Sequence, residues 1–399
     1  MTKLIAQDGS QRGEKITYGL EKGNLQGAIF SPKDYKIQSI KKYVGNSKYL
    51  NQENTFLDPQ FYYYTFNNGI IKNIKSYPDF NFNITSNDFK PYSYKIDNFL
   101  EKHSENTKGI SETLITPGFY MKDLDWHFYN SIDLYNDCVK KYISKFNTFA
   151  LSLIISVSFF SDKQKVDKLI EDLTNNVHKK KYVYLIICYE PKKNKEVDPL
   201  CLSNILYAIY KLQKNGFKFI LGYCFLNSII FSVLNCDFVA SGWFKKLRRF
   251  TESMFDPKNL PYARKTRNYT SIPLLSCMPE NHLRDMVKPN GLTYEMILSG
   301  TKNDKEFKNK SPLSELDFYQ QYWESITLIL KEMESTGDFK SRIQVMKNKI
   351  FYAQSLYKNA LNSLKLSQEK IAEKNTRMES KHLQSWLDAL DIFELEIKK

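Results

Sequence analysis

The chain has 399 residues, 42% of them hydrophobic and 15% aromatic, which suits one large or two ordinary domains with a packed core. No apolar run reaches the about 18 residues that a membrane span needs, and the N-terminus "MTKLIAQDGSQRGEK" has no apolar leader core, so a cytoplasmic protein is expected. The net charge of +14 favours a polyanionic partner, nucleic acid first, against the competing explanation of a codon bias toward Lys, Asn, Ile and Tyr.

Residues 1–24 are polar and read as an irregular N-terminus. Strand-like and helical runs then alternate. "GAIFSP" (27–32) is a short strand closed by Pro, "IQSIKKYVG" (37–45) has helical spacing, and "TFLDPQ" (55–60) is a second strand. Residues 66–110 read as an aromatic, Asn-rich insertion, and 123–146 as a helix. Next come a buried strand at 148–160 and a helix at 161–179 opened by a Ser cap. A strand at 182–191 leads to a helix at 198–216, with Pro199 in its first turn and Gly216 at its end. A strand at 217–224, a short helix at 225–235 and a strand end at 236–242 follow, and 268–276 supplies a late strand. The strands are apolar throughout rather than alternating, the pattern of a parallel sheet covered on both faces.

This regular alternation predicts an α/β fold: a (β/α)8 TIM-like barrel over 25–290, with an open doubly wound sheet as the alternative. Seven strands are countable, so the eighth is missing or irregular. Residues 291–399 read as an appended C-terminal helical segment; within it 342–371 is one long amphipathic helix. That segment offers either a homodimer surface or a basic arm along a nucleic-acid backbone. The six cysteines (Cys138, Cys188, Cys201, Cys224, Cys236, Cys277) form no CxxC pair and His is scarce, so neither a metal site nor a cofactor is expected.

Barrel enzymes keep their chemistry at the C-terminal ends of the strands. That filter selects Ser31, Asp34, Asp58, Gln60, Ser158, Asp162, Tyr189, Glu190, Tyr223, Ser241, Gly242 and Trp243. Asp58 ends an apolar strand and Pro59 stops further pairing, which aims a carboxylate at the mouth or, alternatively, caps the next turn. Glu190 ends its strand in the same way. Two such acids suit acid–base work on a glycosidic bond. The aromatic cluster after Asp58 includes Tyr62 and Tyr63, with stacking or core roles both open. "ASGWFKKLRRF" (240–250) sets Trp243 beside Lys245, Lys246, Arg248 and Arg249, and "PYARKTRNY" (261–269) adds Arg264, Lys265 and Arg267. Aromatic and basic residues interleaved this way suit a phosphate backbone with an unstacked base; a core Trp243 and a solvated basic face are the alternatives.

"FLDPQFYY" and "NCDFVASG" resemble two strand ends of the tRNA-guanine transglycosylase superfamily, a (β/α)8 barrel family. The first resembles the family's "T-D-S-G-G-F-Q" context, which gives Asp58 the role of its Asp. The second resembles "G-V-D-x-x-D", so Asp237 matches the first Asp, while Ala240 stands where the family carries its nucleophile. The family's zinc motif is absent. The resemblance implies base chemistry at an N-glycosidic bond. Without the nucleophile it implies hydrolysis rather than exchange: a glycosylase that flips a base, similar to DNA-acting relatives in phage defence. The expected catalytic residues are Asp58, Glu190 and Asp237, and the expected base contacts are Gln60, Tyr62, Tyr63, Ser241, Gly242 and Trp243. DNA, or alternatively tRNA, is the expected partner. A base-exchanging transglycosylase and a non-catalytic nucleic-acid-binding barrel are the alternatives.

Overall fold

A computed structural model describes residues 2–62, 94–178, 182–189, 197–252, 267–288, 291–311 and 313–398. Its centre is a single sheet of eight parallel strands that curls into a nearly closed barrel. These are β1 (Lys3–Gln7), β2 (Ala28–Phe30), β3 (Thr55–Leu57) and β4 (Thr113–Ile115), then, past a short β5 (Tyr120–Met121), β6 (Thr148–Ser156), β7 (Tyr182–Tyr189), β8 (Lys218–Gly222) and β9 (Phe238–Ser241). Neighbours in the wall are neighbours in sequence, and β9 closes back onto β1. Between β3 and β4 no ladder forms among the described residues. The turns leading into them are joined by the Glu112 N–H donating to the Gln52 carbonyl at 2.9 Å.

The helices α1 (Lys15–Glu21), α2 (Ile37–Asn46), α3 (Tyr94–Thr107), α4 (Trp126–Tyr142), α5 (Lys163–Asn176), α6 (Pro199–Lys214) and the short α7 (Asn227–Phe231) follow successive strands. Continuous apolar strands arise because both faces are covered. On β7, Val183, Leu185 and Ile187 pack toward the helices, while Tyr184, Ile186 and Cys188 fill the barrel. The helix signals are local. The carboxylate of Asp198 caps α6 by accepting the Leu200 and Cys201 N–H groups at 2.9 and 3.2 Å, Pro199 occupies its first turn, and Gly216 ends it at φ +88°. At α5 the cap is Asp162 rather than the expected Ser161: it accepts from the Gln164 and Lys165 N–H groups.

Four expectations change. Residues 1–24 are not irregular: β1 lies in the middle of the sheet and α1 follows it. The expected insertion at 66–110 contains α3, which belongs to the barrel; its residues up to 93 lie outside the described ones. The expected strand at 268–276 leaves the barrel and forms an antiparallel ribbon, β11 (Asn268–Ser271) with β12 (Ser276–Pro279). Between β9 and this ribbon, β10 (Phe250–Thr251) returns to pair with the upper end of β7.

Residues 291–399 do form the expected C-terminal helical segment, and the fourth change concerns only how much of it is additional to the barrel. After the short helices α8 (Glu280–Asp285), α9 (Tyr294–Ile297) and α10 (Asp304–Lys308), α11 (Glu315–Ser335) packs on β1, α1 and α7 and so serves as the eighth barrel helix. Only α12 (Phe339–Leu366), α13 (Lys370–Ser380) and α14 (His382–Lys398) are additional, and α14 lies along α6. Tyr210 of α6 stacks on Phe339 at 4.8 Å and meets Phe393 of α14 edge-on at 5.9 Å. The long helix expected over 342–371 stops at Leu366, and Gln368 turns at φ +58° without a Gly or Pro to announce it. Among the described residues no helix is long and apolar enough to cross a membrane.

Close approach at the β2–β3 seam gives one prediction. A Cβ on Gly27 would stand 2.1 Å from the carbonyl oxygen of Asn54, which itself accepts the Ala28 N–H at 3.1 Å. Backbone cannot yield there as a side chain can. Gly27→Ala is expected to cost about 2–3 kcal/mol, read as a lower urea midpoint with an unchanged slope.

Candidate active site at the C-terminal mouth of the barrel

Side-chain parity decides what enters the barrel, because successive residues of a strand face opposite ways. Ile5 on β1, Phe56 on β3, Tyr184 on β7 and Ala240 on β9 point inward. By the same count Gln7 and Asp58 point inward at the C-terminal end. Asp58, directly after β3, is 1% exposed. One of its oxygens accepts the Gln60 N–H at 2.8 Å, closing the Asx turn that Asp-Pro favours. The other accepts the hydroxyls of Tyr62 at 2.8 Å and Tyr184 at 3.0 Å. Both readings of this residue therefore hold together: it caps its turn and it faces the mouth.

The electrostatics follow from that burial. Desolvation pushes the Asp58 carboxyl up to about 6, against the pull of the Gln60 N–H and the two tyrosine hydroxyls. Burial and the neighbouring carboxylate push Tyr62 and Tyr184 well above the usual tyrosine range, so both remain hydrogen-bond donors. The result is a carboxyl that changes protonation near neutrality inside a ring of neutral donors, the property an acid–base group needs.

The second half of the pocket comes from β8 and β10. Tyr223, just past β8, accepts a hydrogen bond from the Gln60 side-chain amide at 2.9 Å. Gln60 and Tyr223 both hold left-handed backbone, at φ +50° and φ +53°. For residues other than Gly, that conformation costs about 1 kcal/mol or more each and persists where surrounding contacts impose it, often at functional sites. Above them lies Phe250, fully buried, with its ring edge-on to Tyr62 at 5.4 Å and to Tyr223 at 5.1 Å. The register of β10 on β7 puts Phe250 opposite the inward-facing Cys188.

At the rim, beyond β1, Asp8 and Arg12 form a buried bidentate pair. The Arg12 guanidinium lies among the rings of Phe30, Tyr35 and Tyr43, with its centre 4.0–4.7 Å from theirs. Burial raises the Asp8 carboxyl and Arg12 draws it back, to about 6. Asp34, past β2, is likewise raised by burial, and its charge bears on Asp8 and Tyr223. Burial lowers Lys33, and the nearby Lys246 adds to that effect.

Asp58, Gln60, Tyr62 and Tyr223 are thus brought together. Several other expected residues are not. Asp237 lies at the opposite end of the barrel, before β9 begins: its carboxylate accepts the Phe219 N–H at 3.2 Å and pairs with Lys218 at 3.6 Å. It is a basal link between strands. Ser241 follows the inward Ala240 and so points out, its hydroxyl 2.6 Å from that of Tyr322 on α11. Gly242 does allow a close backbone approach, but to the chain itself: an added Cβ would meet the Leu247 Cβ at 2.3 Å and the Gln7 carbonyl at 2.7 Å. Trp243 is a core residue at 2% exposed, packed edge-on against Phe244.

The basic run divides in the same way. Arg248 is buried, with its guanidinium 3.5 Å from the Tyr322 ring centre and its Nε donating to the Gly242 carbonyl at 2.7 Å. It holds the loop after β9 onto α11 and faces no solvent. Lys246 is exposed, Arg249 stands over the Tyr189 ring at 4.9 Å, and Arg267 is exposed at the start of the side ribbon. Tyr63, Glu190, Arg264, Lys265 and the Lys245 side chain lie outside the described residues.

Sequence reasoning missed Gln7, Tyr184 and Phe250. A Gln ending the apolar run "KLIAQ" was a usable signal for the first, and period-two counting along β7 for the second. Phe250 had no signal, since it depends on β10 returning to β7. Among the described residues no group of three or more His, Cys, Asp or Glu side chains is placed to hold a metal ion. No family model, curated protein or solved structure matches the chain.

Proposed function

We propose that the chain hydrolyses an N-glycosidic bond of a nucleobase in DNA, with Asp58 as the acid–base carboxylate. The observation that carries this reading is the environment of Asp58: buried at the C-terminal mouth, raised to about 6, and ringed by neutral hydroxyl donors. Ionised Asp58 takes a proton from water as the water oxygen bonds to the sugar anomeric carbon. The bond from that carbon to the base nitrogen breaks, and the proton passes to the departing base. The carboxylate charge also favours an oxocarbenium-like transition state.

Hydrolysis suits the site better than base exchange, because exchange through a covalent intermediate needs a second carboxylate as nucleophile, and neither position that the resemblance offers for one supplies it. Asp237 is at the wrong end, and β9 offers Ala240 to the interior. The net charge of +14, with Lys33 and Lys246 near the mouth, supports a polyanionic substrate. Excision of a modified base in defence against phage is the biological setting this reading suits.

The test is incubation with DNA from phages that carry modified or unmodified bases, with released bases identified by mass spectrometry. Free base and abasic sites are expected from the wild-type chain. An Asp58→Asn variant that releases base at the wild-type rate would remove Asp58 from the mechanism.

A further inference from the structure

The pocket around Asp58 contains polar atoms that the fold itself does not use. Gln7 is fully buried, yet among the described residues neither its side-chain nitrogen nor its oxygen meets the geometry of a direct hydrogen bond. It lies beside the Tyr184 hydroxyl, which the Gln7 side chain draws toward ionisation through a loose hydrogen-bonding contact. Gln60, 2% exposed, gives its amide N–H to Tyr223, and its oxygen has no direct partner among the described residues. Each such atom costs about 1–3 kcal/mol when left unsatisfied, and native interiors hold few of them. Here three belong to two carboxamides at the same end of the barrel interior, Gln7 beside Tyr184 and Gln60 bonded to Asp58 and Tyr223, with Tyr184 in turn bonded to Asp58.

We infer that Gln7 and Gln60 form the recognition edge of a binding site for a neutral planar heterocycle with adjacent hydrogen-bond acceptor and N–H donor, whose ring replaces that of Phe250. A carboxamide offers a donor and an acceptor side by side in one plane, the complement of a cyclic amide or amidine edge. It does not complement a lone charge. Phe250 is fully buried and edge-on to Tyr62 and Tyr223, so in this closed arrangement an aromatic ring already fills the space between the tyrosines. The ligand class deepens the glycosylase reading and rests on it for the choice of a base as natural ligand; the binding chemistry itself does not require cleavage.

The test uses small probes and the full chain. 2-Pyridone and 2-aminopyridine carry the donor–acceptor edge, whereas benzene and pyridine do not. Binding is followed by ligand-observed NMR to wild type, Phe250→Ala, Gln7→Met and the double variant Phe250→Ala/Gln7→Met. Phe250→Ala opens a ring-sized space and is expected to bind the two edge-bearing probes at least about tenfold more tightly than wild type, since no ring must be displaced. It should also prefer them to benzene about tenfold, the 1.4 kcal/mol that one matched pair supplies. Adding Gln7→Met should clearly lower that preference, leaving only the share that Gln60 supplies, while benzene still binds, which also shows that the double variant is folded. Equal binding of benzene and 2-pyridone to Phe250→Ala would overturn the inference, as would a preference unchanged by Gln7→Met. Probe binding without base release from DNA would instead count against the glycosylase reading alone.

Discussion

Asp58→Asn is expected to slow base release from DNA by about 10²–10⁴-fold, the usual contribution of a positioned acid–base group, and at the same time to make the protein more stable at neutral pH. The second effect has a definite sign. The folded state holds this carboxyl at about 6, above its ordinary value of 3.8. The native state therefore binds the proton more tightly than the unfolded chain, and stability is lost as pH rises from about 4 to 6. Above that window the ionised group costs about 3 kcal/mol, at 1.36 kcal/mol per pKa unit. Asn has no charge to desolvate, and its oxygen can still accept the Gln60 N–H. Thermal unfolding at pH 8 should therefore favour the variant, and the gap should close by pH 4. A variant less stable than wild type at pH 8 would mark Asp58 as a structural turn residue. A stabilised but inactive variant is the outcome that a functional site produces, where the fold carries a cost that the reaction requires.

The second large effect concerns the rim. Arg12→Met is expected to destabilise the fold by about 3–5 kcal/mol, because it leaves the Asp8 carboxylate buried without its partner. Methionine preserves much of the packing among Phe30, Tyr35 and Tyr43, so the loss reports charge rather than volume. The pH dependence again has a sign. Without Arg12, burial alone acts on Asp8 and its pKa rises further, so the deficit shrinks as acid protonates the group. Asp8→Asn should also destabilise, and the double variant Asp8→Asn/Arg12→Met should lose clearly less than the sum of the two. Denaturant midpoints for the four proteins make a cycle. Additive losses would show that the pair is not coupled and that Arg12 acts through its aromatic contacts.

Much of the architecture was legible before the structure. Six of the seven expected strands stand in the barrel, at 28–30, 55–57, 148–156, 182–189, 218–222 and 238–241. The helices at 126–142 and 199–214 also fall where periodicity put them. These signals are local: an apolar run covered on both faces, an amphipathic stripe, an Asp or Pro at a helix start. The missed strands, Lys3–Gln7 and Thr113–Ile115, carry only brief apolar runs inside polar stretches; they become strands because a ladder on a neighbour recruits them. The ribbon at 268–279 shows the converse, an apolar segment that pairs with itself.

By itself the sequence determined the alternating α/β order, the parallel sheet, and an acid at the end of a strand with Pro behind it. It also held the positive charge and the abundance of tyrosine from which a site is built. Only the tertiary structure decided which end and which face each residue occupies. Asp58 and Asp237 both flank apolar strands, yet they lie at opposite ends, because one follows its strand and the other precedes it. Ser241 is one residue from an inward position and faces a helix for that reason alone. The tyrosines that complete the pocket come from 126 residues away, at Tyr184, and from β8, at Tyr223. The cause is that facing alternates with every residue while contacts join distant strands. A site assembled across a barrel is fixed by register and parity, which the ladders set and which no short stretch of chain carries.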